Sequence, residues 1–268
     1  MSQNSAIAWC DATWNPFFGC SKVSDGCTNC YALGLAWRHE NNPRSPYYHT
    51  GIAEKRNGKV LWTGKVVAAE DALTRPMRWR KPQRIFVNSM SDLFHEDIPD
   101  ELVDEVFAVM ARCPQHTFIV LTKRAERMQD YLDTAHCCGT HWLTEISLQW
   151  PLSNVWLGIS VEDQKNWEAR RDYLYETPAA VKLLSCEPLL NSIWLADSIE
   201  WLDWVIVGSE SGHRARYFSD AWARDLRDQC QQAGVPFFFK QHIVNGKKVE
   251  TPELDGQRWT QYPGDKTR

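Results

Sequence analysis

Six short runs of apolar, largely β-branched or aromatic residues recur along the chain, and each ends in polar or small side chains. They are Arg84-IFV-Asn88, Thr117-FIVL-Thr122, Asn154-VWLGI-Ser160, Val181-KLL-Ser185, Trp204-VIV-Gly208 and Val235-PFFF-Lys240. Near-continuous apolar runs are what strands buried on both faces require, and a parallel sheet covered by helices buries them so. Segments of helical spacing lie between the runs. From Asp100, the residues Leu102, Val103, Val106, Phe107 and Met110 share one face, with Pro99 near the first turn. From Ala221 to Gln232, Trp222, Leu226 and Cys230 do the same, and Gly234 and Pro236 stop the pattern. Strand–helix alternation implies a βα barrel or a doubly wound sheet.

Residues 1–80 break this rhythm. They hold one predicted strand over Ala6–Thr13, a cysteine loop at 19–31, a predicted helix over Tyr31–Glu40 and a polar insertion at 41–80. One strand added to the six runs makes seven, fewer than a complete eightfold barrel uses. The expected fold is α/β: an incomplete parallel βα (TIM-like) barrel over residues 1–241, with a cysteine loop after the first strand. Residues 242–268 are polar and are expected to form a C-terminal appendage. A chain of 268 residues suits one such core.

The loop reads Gly19-Cys20-SKVSDG-Cys27-TN-Cys30-Tyr31, a C-x6-C-x2-C spacing. Three nearby thiolates can hold three irons of a 4Fe-4S cube and leave the fourth iron open. Gly19 and Gly26 each precede a cysteine, where backbone freedom lets a short loop wrap a bulky group. Zinc is the rival, with Cys10 as a fourth ligand, and unliganded structural cysteines are a third reading. Spacing alone leaves all three open. Nine cysteines without a basic, apolar N-terminal leader point to a reducing compartment, so a cytoplasmic location without a membrane span is expected. A net charge of −4 offers no global attraction to nucleic acid. Locally, five cations surround Trp79 between Arg75 and Arg84, a candidate phosphate-binding patch whose plain alternative is a solvated helix end.

In a βα barrel, chemistry gathers at the C-terminal ends of the strands. The residues there are Asn88, Ser89, Ser91 and Asp92; Thr122, Lys123 and Arg124; Ser160 and Glu162; Cys186 and Glu187; Ser209, Glu210 and Ser211; and Lys240 and Gln241. Cys113, Cys137, Cys138 and Cys230 fall on predicted helices or connections, where no chemical role is expected.

The stretches Asp11-ATWNPFFGCSKVSDGCTNCYA, Arg84-IFVNSMSDLFHEDIPDE, Leu184-SCEPLL and Asp255-GQRW resemble an uncharacterised phage-associated three-cysteine-motif family grouped with the radical SAM superfamily. The usual superfamily loop has a shorter first gap and an aromatic residue just before its last cysteine; here Asn29 holds that place and Tyr31 follows. The resemblance implies a 4Fe-4S cluster on Cys20, Cys27 and Cys30, S-adenosylmethionine (SAM) in the barrel mouth, and an electron donor such as flavodoxin or ferredoxin. The substrate it suggests is a nucleotide or nucleic-acid base. Within that reading, Asn88, Ser89 and Asp92 meet the methionyl end of SAM, and Lys123 or Arg124 takes its carboxylate. Glu162 and Glu187 serve ribose or substrate hydroxyls, and the Gly158-Ile159 step lets backbone approach adenine. Ser209 and Lys240 complete the cofactor-binding set, while Cys186 and Glu187 are the catalytic candidates, the thiol as hydrogen-atom donor. Two alternatives stand beside it: a zinc-stabilised nucleic-acid-binding module using the Arg75–Arg84 patch, and a non-redox hydrolase with Glu162 and Glu187 as its carboxylate pair.

Overall fold

The computed structural model describes residues 5–138, 150–211, 214–244 and 247–264. Strand β1 (Ala12–Trp14) is followed by β2 (Phe17–Phe18), helix α1 (Tyr31–Glu40), β3 (Ala53–Arg56), β4 (Lys59–Trp62), β5 (Val67–Ala68) and a single turn, α2 (Glu70–Leu73). Strand and helix then alternate: β6 (Arg84–Val87), α3 (Asp100–Ala111), β7 (Thr117–Thr122), α4 (Ala125–Cys138), β8 (Val155–Ser160), α5 (Gln164–Glu176) and β9 (Val181–Cys186). They end with β10 (Trp204–Gly208), α6 (Asp220–Ala233), β11 (Phe237–Val244), β12 (Lys247–Glu250), β13 (Glu253–Leu254) and β14 (Gln257–Arg258). The side chains of Cys137 and Cys138 lie outside the described residues.

One eight-stranded sheet, ordered β1-β6-β7-β8-β9-β10-β11-β12, curls into a half-barrel. Its pairs are parallel except β11–β12. The partial parallel barrel expected from the six apolar runs is therefore present. The helices end where their sequences say they should. Asp163 caps α5 through Asn166 N–H at 2.9 Å, and Gly234 closes α6 at φ 70°, a left-handed conformation that glycine adopts freely.

Side chains alternate across each strand. Val87, Val120, Leu157, Leu184 and Val207 face the helices in the main core, and each contributes roughly 1.5–3 kcal/mol on burial. Phe86, Ile119, Leu183, Ile206 and Phe238 face the barrel interior. Trp9 plugs that interior, 4.8 Å from the Phe86 ring centroid and 6.3 Å from that of Trp204.

Trp9 explains a difference from the sequence reading. Pairing begins at Ala12, whereas a strand is predicted from Ala6, because residues 5–11 turn inward: Ser5 N–H donates to the Asp11 carbonyl at 3.0 Å and Cys10 N–H to that of Ile7 at 3.1 Å. At the other end, β11 runs to Val244 and pairs with β12, so the expected boundary at 242 falls inside a strand. Beyond it, Gln261 accepts from Trp204 Nε1 at 2.8 Å through its carbonyl, and Arg84 stands 4.0 Å over the Tyr262 ring.

The Arg75–Arg84 patch leads into the N-terminal end of β6. Trp79 there packs against the main core, edge-on to His116 at 6.1 Å. Among the described residues, no helix is long and apolar enough to cross a membrane.

Candidate functional site

Because parallel strands share one C-terminal end, the loops after them converge. A cavity of about 160 Å³ lies there. Cys20, Cys27 and Cys30 line it together with Asn88, Ser89, Asp92, Lys123, Ser160, Ser185, Glu187 and Lys240, and Trp62 reaches it from the 41–80 insertion. A second cavity of about 140 Å³ adjoins it and holds Ser209, Glu210 and Ser211. Cys27, Cys30, Tyr31, Lys123, Glu187 and Lys240 line both.

The cysteine loop is fastened to the strand ends at several points. Gly26 N–H donates to Glu162 Oε1 at 3.0 Å, Asn29 Nδ2 to Glu210 Oε2 at 3.0 Å, and Tyr31 Oη to the Ser89 carbonyl at 3.0 Å. Arg216 pairs with Glu210 and donates to the Asp25 carbonyl at 2.9 Å. Beside Cys20, Arg124 Nη2 donates to Ser21 Oγ at 2.6 Å, while its other nitrogens hold Asp92 at 3.1 Å and Glu96 at 2.8 Å. Gly26 is a matter of space, since a Cβ there would lie 3.1 Å from the Glu162 carboxyl carbon.

Burial pushes the Cys20 thiol up to about 12; the Asp92 carboxylate adds to this and the Arg124 guanidinium opposes it. Burial also raises Cys30, against hydrogen bonds from the Ala32 and Leu33 N–H groups and the nearby charge of Lys123. Two cations thus stand where negative charge on the thiols would be stabilised. Cys10 lies apart in the barrel interior, bonded to Ser5 Oγ at 3.3 Å, and does not line the cavity with the other three. Among the described residues, no group of three or more His, Cys, Asp or Glu side chains is gathered closely enough to hold a single metal ion.

The remaining expected residues divide by what they touch. Asn88 is 3% exposed, and among the described residues neither its amide oxygen nor its nitrogen has a hydrogen-bond partner. Asp92 is already committed: it accepts from Phe94 N–H, Thr122 Oγ1, Lys123 N–H and Arg124 at 2.7–3.1 Å. Arg124 is committed in the same network, so of the two cations proposed for the SAM carboxylate only Lys123 faces the cavity without an ion-pair partner among the described residues.

Glu162 has no exposed surface, lines neither cavity, and pairs with Arg170 at 3.4 Å besides holding Gly26. It therefore does not meet Glu187 across a shared space. Glu187 does face both cavities, bound to Lys240 at 2.6 Å, Trp9 Nε1 at 3.1 Å and Ser185 Oγ at 3.2 Å. Cys186 points the other way. It has no exposed surface, packs in the main core, and burial raises its thiol well above the ordinary value, so it is not in the barrel mouth as expected. The backbone approach expected at Gly158 is taken by Leu183, whose carbonyl and side chain would each lie 2.4 Å from a Cβ there. Cys113 and Cys230 are buried core residues.

Trp9, Ser185 and Trp62 line the first cavity without having been singled out in the sequence, and Tyr31, noted there only as the aromatic after the last cysteine, lines both cavities. Alternation along β9 was the available signal for Ser185: if Leu184 faces the helices, Ser185 faces inward. No curated protein and no solved structure matches the chain. Residues 4–263 match the model of a family described as a protein of unknown function (DUF5131), and the chain belongs to that family.

Proposed function

We propose that this protein is a radical SAM-like enzyme, with a 4Fe-4S cluster on Cys20, Cys27 and Cys30 and SAM in the cavity beside them. The observation that carries the reading is the meeting of three thiols from one short loop with the unpartnered, buried amide of Asn88 in a single cavity. A zinc ion draws its ligands to one point. A cluster places each thiolate on a different iron, so its thiols surround a volume. Cysteines that line a cavity, without a fourth partner from Cys10, suit the second demand.

When bound, the cluster would supply the one electron that breaks the S–C5' bond of SAM, giving methionine and a 5'-deoxyadenosyl radical, with a protein donor such as flavodoxin or ferredoxin replenishing it. The chain's own residues do the rest. Lys123 and Arg124 offset negative charge beside Cys30 and Cys20. Asn88 offers a donor and an acceptor to the methionyl end of SAM, Ser89 adds a hydroxyl, and Lys123 takes the carboxylate. Asp92 orders the turn that presents them. Glu187 and Lys240, paired at the junction of the two cavities, orient polar groups of the ligands. Ser209 lies in the second cavity, where a substrate would sit. Trp62 and Tyr31 offer ring faces to a nucleotide or nucleic-acid base.

Anaerobic reconstitution with iron and sulfide, then incubation with SAM and dithionite, tests the proposal. Release of 5'-deoxyadenosine that depends on Cys20, Cys27 and Cys30 is the expected result. A reconstituted protein that leaves SAM intact would refute it.

A further inference from the structure

Trp194 lies outside the cysteine cavities, on the connection between β9 and β10. Ile193 and Leu195 beside it are 2% and 0% exposed, whereas Trp194 is 66% exposed. Its backbone is pinned on both sides. Gln164 Oε1 accepts from Trp194 N–H at 2.8 Å, and Gln164 Nε2 donates to the Trp194 carbonyl at 3.3 Å. The flanking residues are held in turn by the buried Gln229, which accepts from Leu195 N–H at 2.8 Å and donates to the Ile193 carbonyl at 3.1 Å. An indole left in water does little for folding, but a rigidly displayed one loses little entropy on contact and anchors interfaces well.

Two grooves, of about 550 and 420 Å³, flank this indole, and Trp194, Gln229 and Gln232 line both. One carries Asp225 and Asp228, the other Asp197 and Glu200, and among the described residues no lysine or arginine lines either. Arg227 engages Asp228 at 2.8 Å. Asp197, Glu200 and Asp225 have no ion-pair partner among the described residues. Charge of one sign on both sides of an apolar ridge selects the opposite sign in whatever covers it.

We propose that this face docks a basic segment of a partner protein. Lysine or arginine stems lie along the Trp194 ring, where their cations also meet the ring face, and their charged heads reach the carboxylates in the two grooves. Nucleic acid and acidic surfaces are repelled from the same place. The proposal does not depend on what the cysteines hold.

Pentalysine titrated into the full-length protein at physiological ionic strength, followed by calorimetry, is the test. Saturable binding is expected, weakened about tenfold by Trp194→Ala and, separately, by Glu200→Gln combined with Asp225→Asn. Trp194→Ala leaves the net charge unchanged. Equal binding by the parent and Trp194→Ala would mean diffuse attraction to an acidic protein and would overturn the proposal. So would pentaglutamate or a single-stranded oligonucleotide that binds in a Trp194-dependent way. All three positions are on the surface, and circular dichroism checks that the variants fold.

Discussion

The main-chain N–H of Gly26 donates to the carboxylate of Glu162 at 3.0 Å, joining the middle of the cysteine loop to a side chain with no exposed surface. The second carboxylate oxygen faces Arg170, itself buried, at 3.4 Å. A residue 136 positions away in sequence thus helps decide where Cys27 sits.

Removing this latch has a predictable cost. Glu162→Ala leaves the buried Arg170 guanidinium without its carboxylate and should destabilise the protein by about 3 kcal/mol. Melting should fall by roughly 6–12 °C at this chain length. Gly26→Ala should disturb the loop more than the core, because the added methyl presses on the same carboxylate. Both variants should take up less iron on reconstitution. Calorimetric melting and iron analysis check this, and parental values for both would show that the contact is incidental.

Asn88 combines a left-handed backbone, φ 59°, with an amide that is buried and unpaired. Such a group is a burden to folding unless something else uses it. Asn88→Gly keeps the backbone conformation and deletes the amide. Its stability should stay within about 1 kcal/mol of the parent, glycine's entropy offsetting the relief, while SAM affinity drops tenfold or more. Equilibrium dialysis against SAM measures this; parental affinity in Asn88→Gly would remove the amide from the ligand site.

How far the sequence could be read depended on how local each determinant was. The parallel strands were legible because burial on both faces demands continuous apolar runs, as in Thr117-FIVL-Thr122 and Trp204-VIV-Gly208. The N-terminal strand was misplaced because Ile7 and Trp9 are apolar for another reason, filling the barrel interior. Strand ends pointed to the end of the sheet where the cavity lies but not to the face that lines it: Ser185 and Glu187 face the cavity while Cys186 between them faces the helices. Asp92 and Glu162 looked like free acids because Thr122 and Gly26, which occupy them, lie far away in sequence. The polar run Lys247–Glu250 looked like a tail, yet its backbone completes β11 at a solvated edge.

Away from the site, Asp11 and Arg84 close the start of the sheet at 3.1 Å. Burial opposes ionisation of Asp11, but hydrogen bonds from the Arg84 side chain and N–H overcome it and hold the carboxyl below its ordinary value. A carboxyl lowered in the folded state stabilises above its unfolded value, and this contribution disappears as pH falls through the folded one. Asp11→Asn should therefore flatten the fall in melting temperature below about pH 4. At neutral pH its cost should be on the order of 0.5 kcal/mol, since the pair is 35% and 42% exposed. An unchanged acid limb would mean that other carboxylates dominate acid unfolding.

Electron paramagnetic resonance of the anaerobically reconstituted, dithionite-reduced protein, recorded with and without SAM, decides whether the three cysteines hold a SAM-binding cluster. In the proposed cluster the three cysteines would leave one iron open for SAM. The expected result is a reduced 4Fe-4S signal that SAM reshapes and that Cys27→Ala abolishes. A colourless protein carrying zinc, or a cluster signal that SAM leaves unaltered, would contradict it.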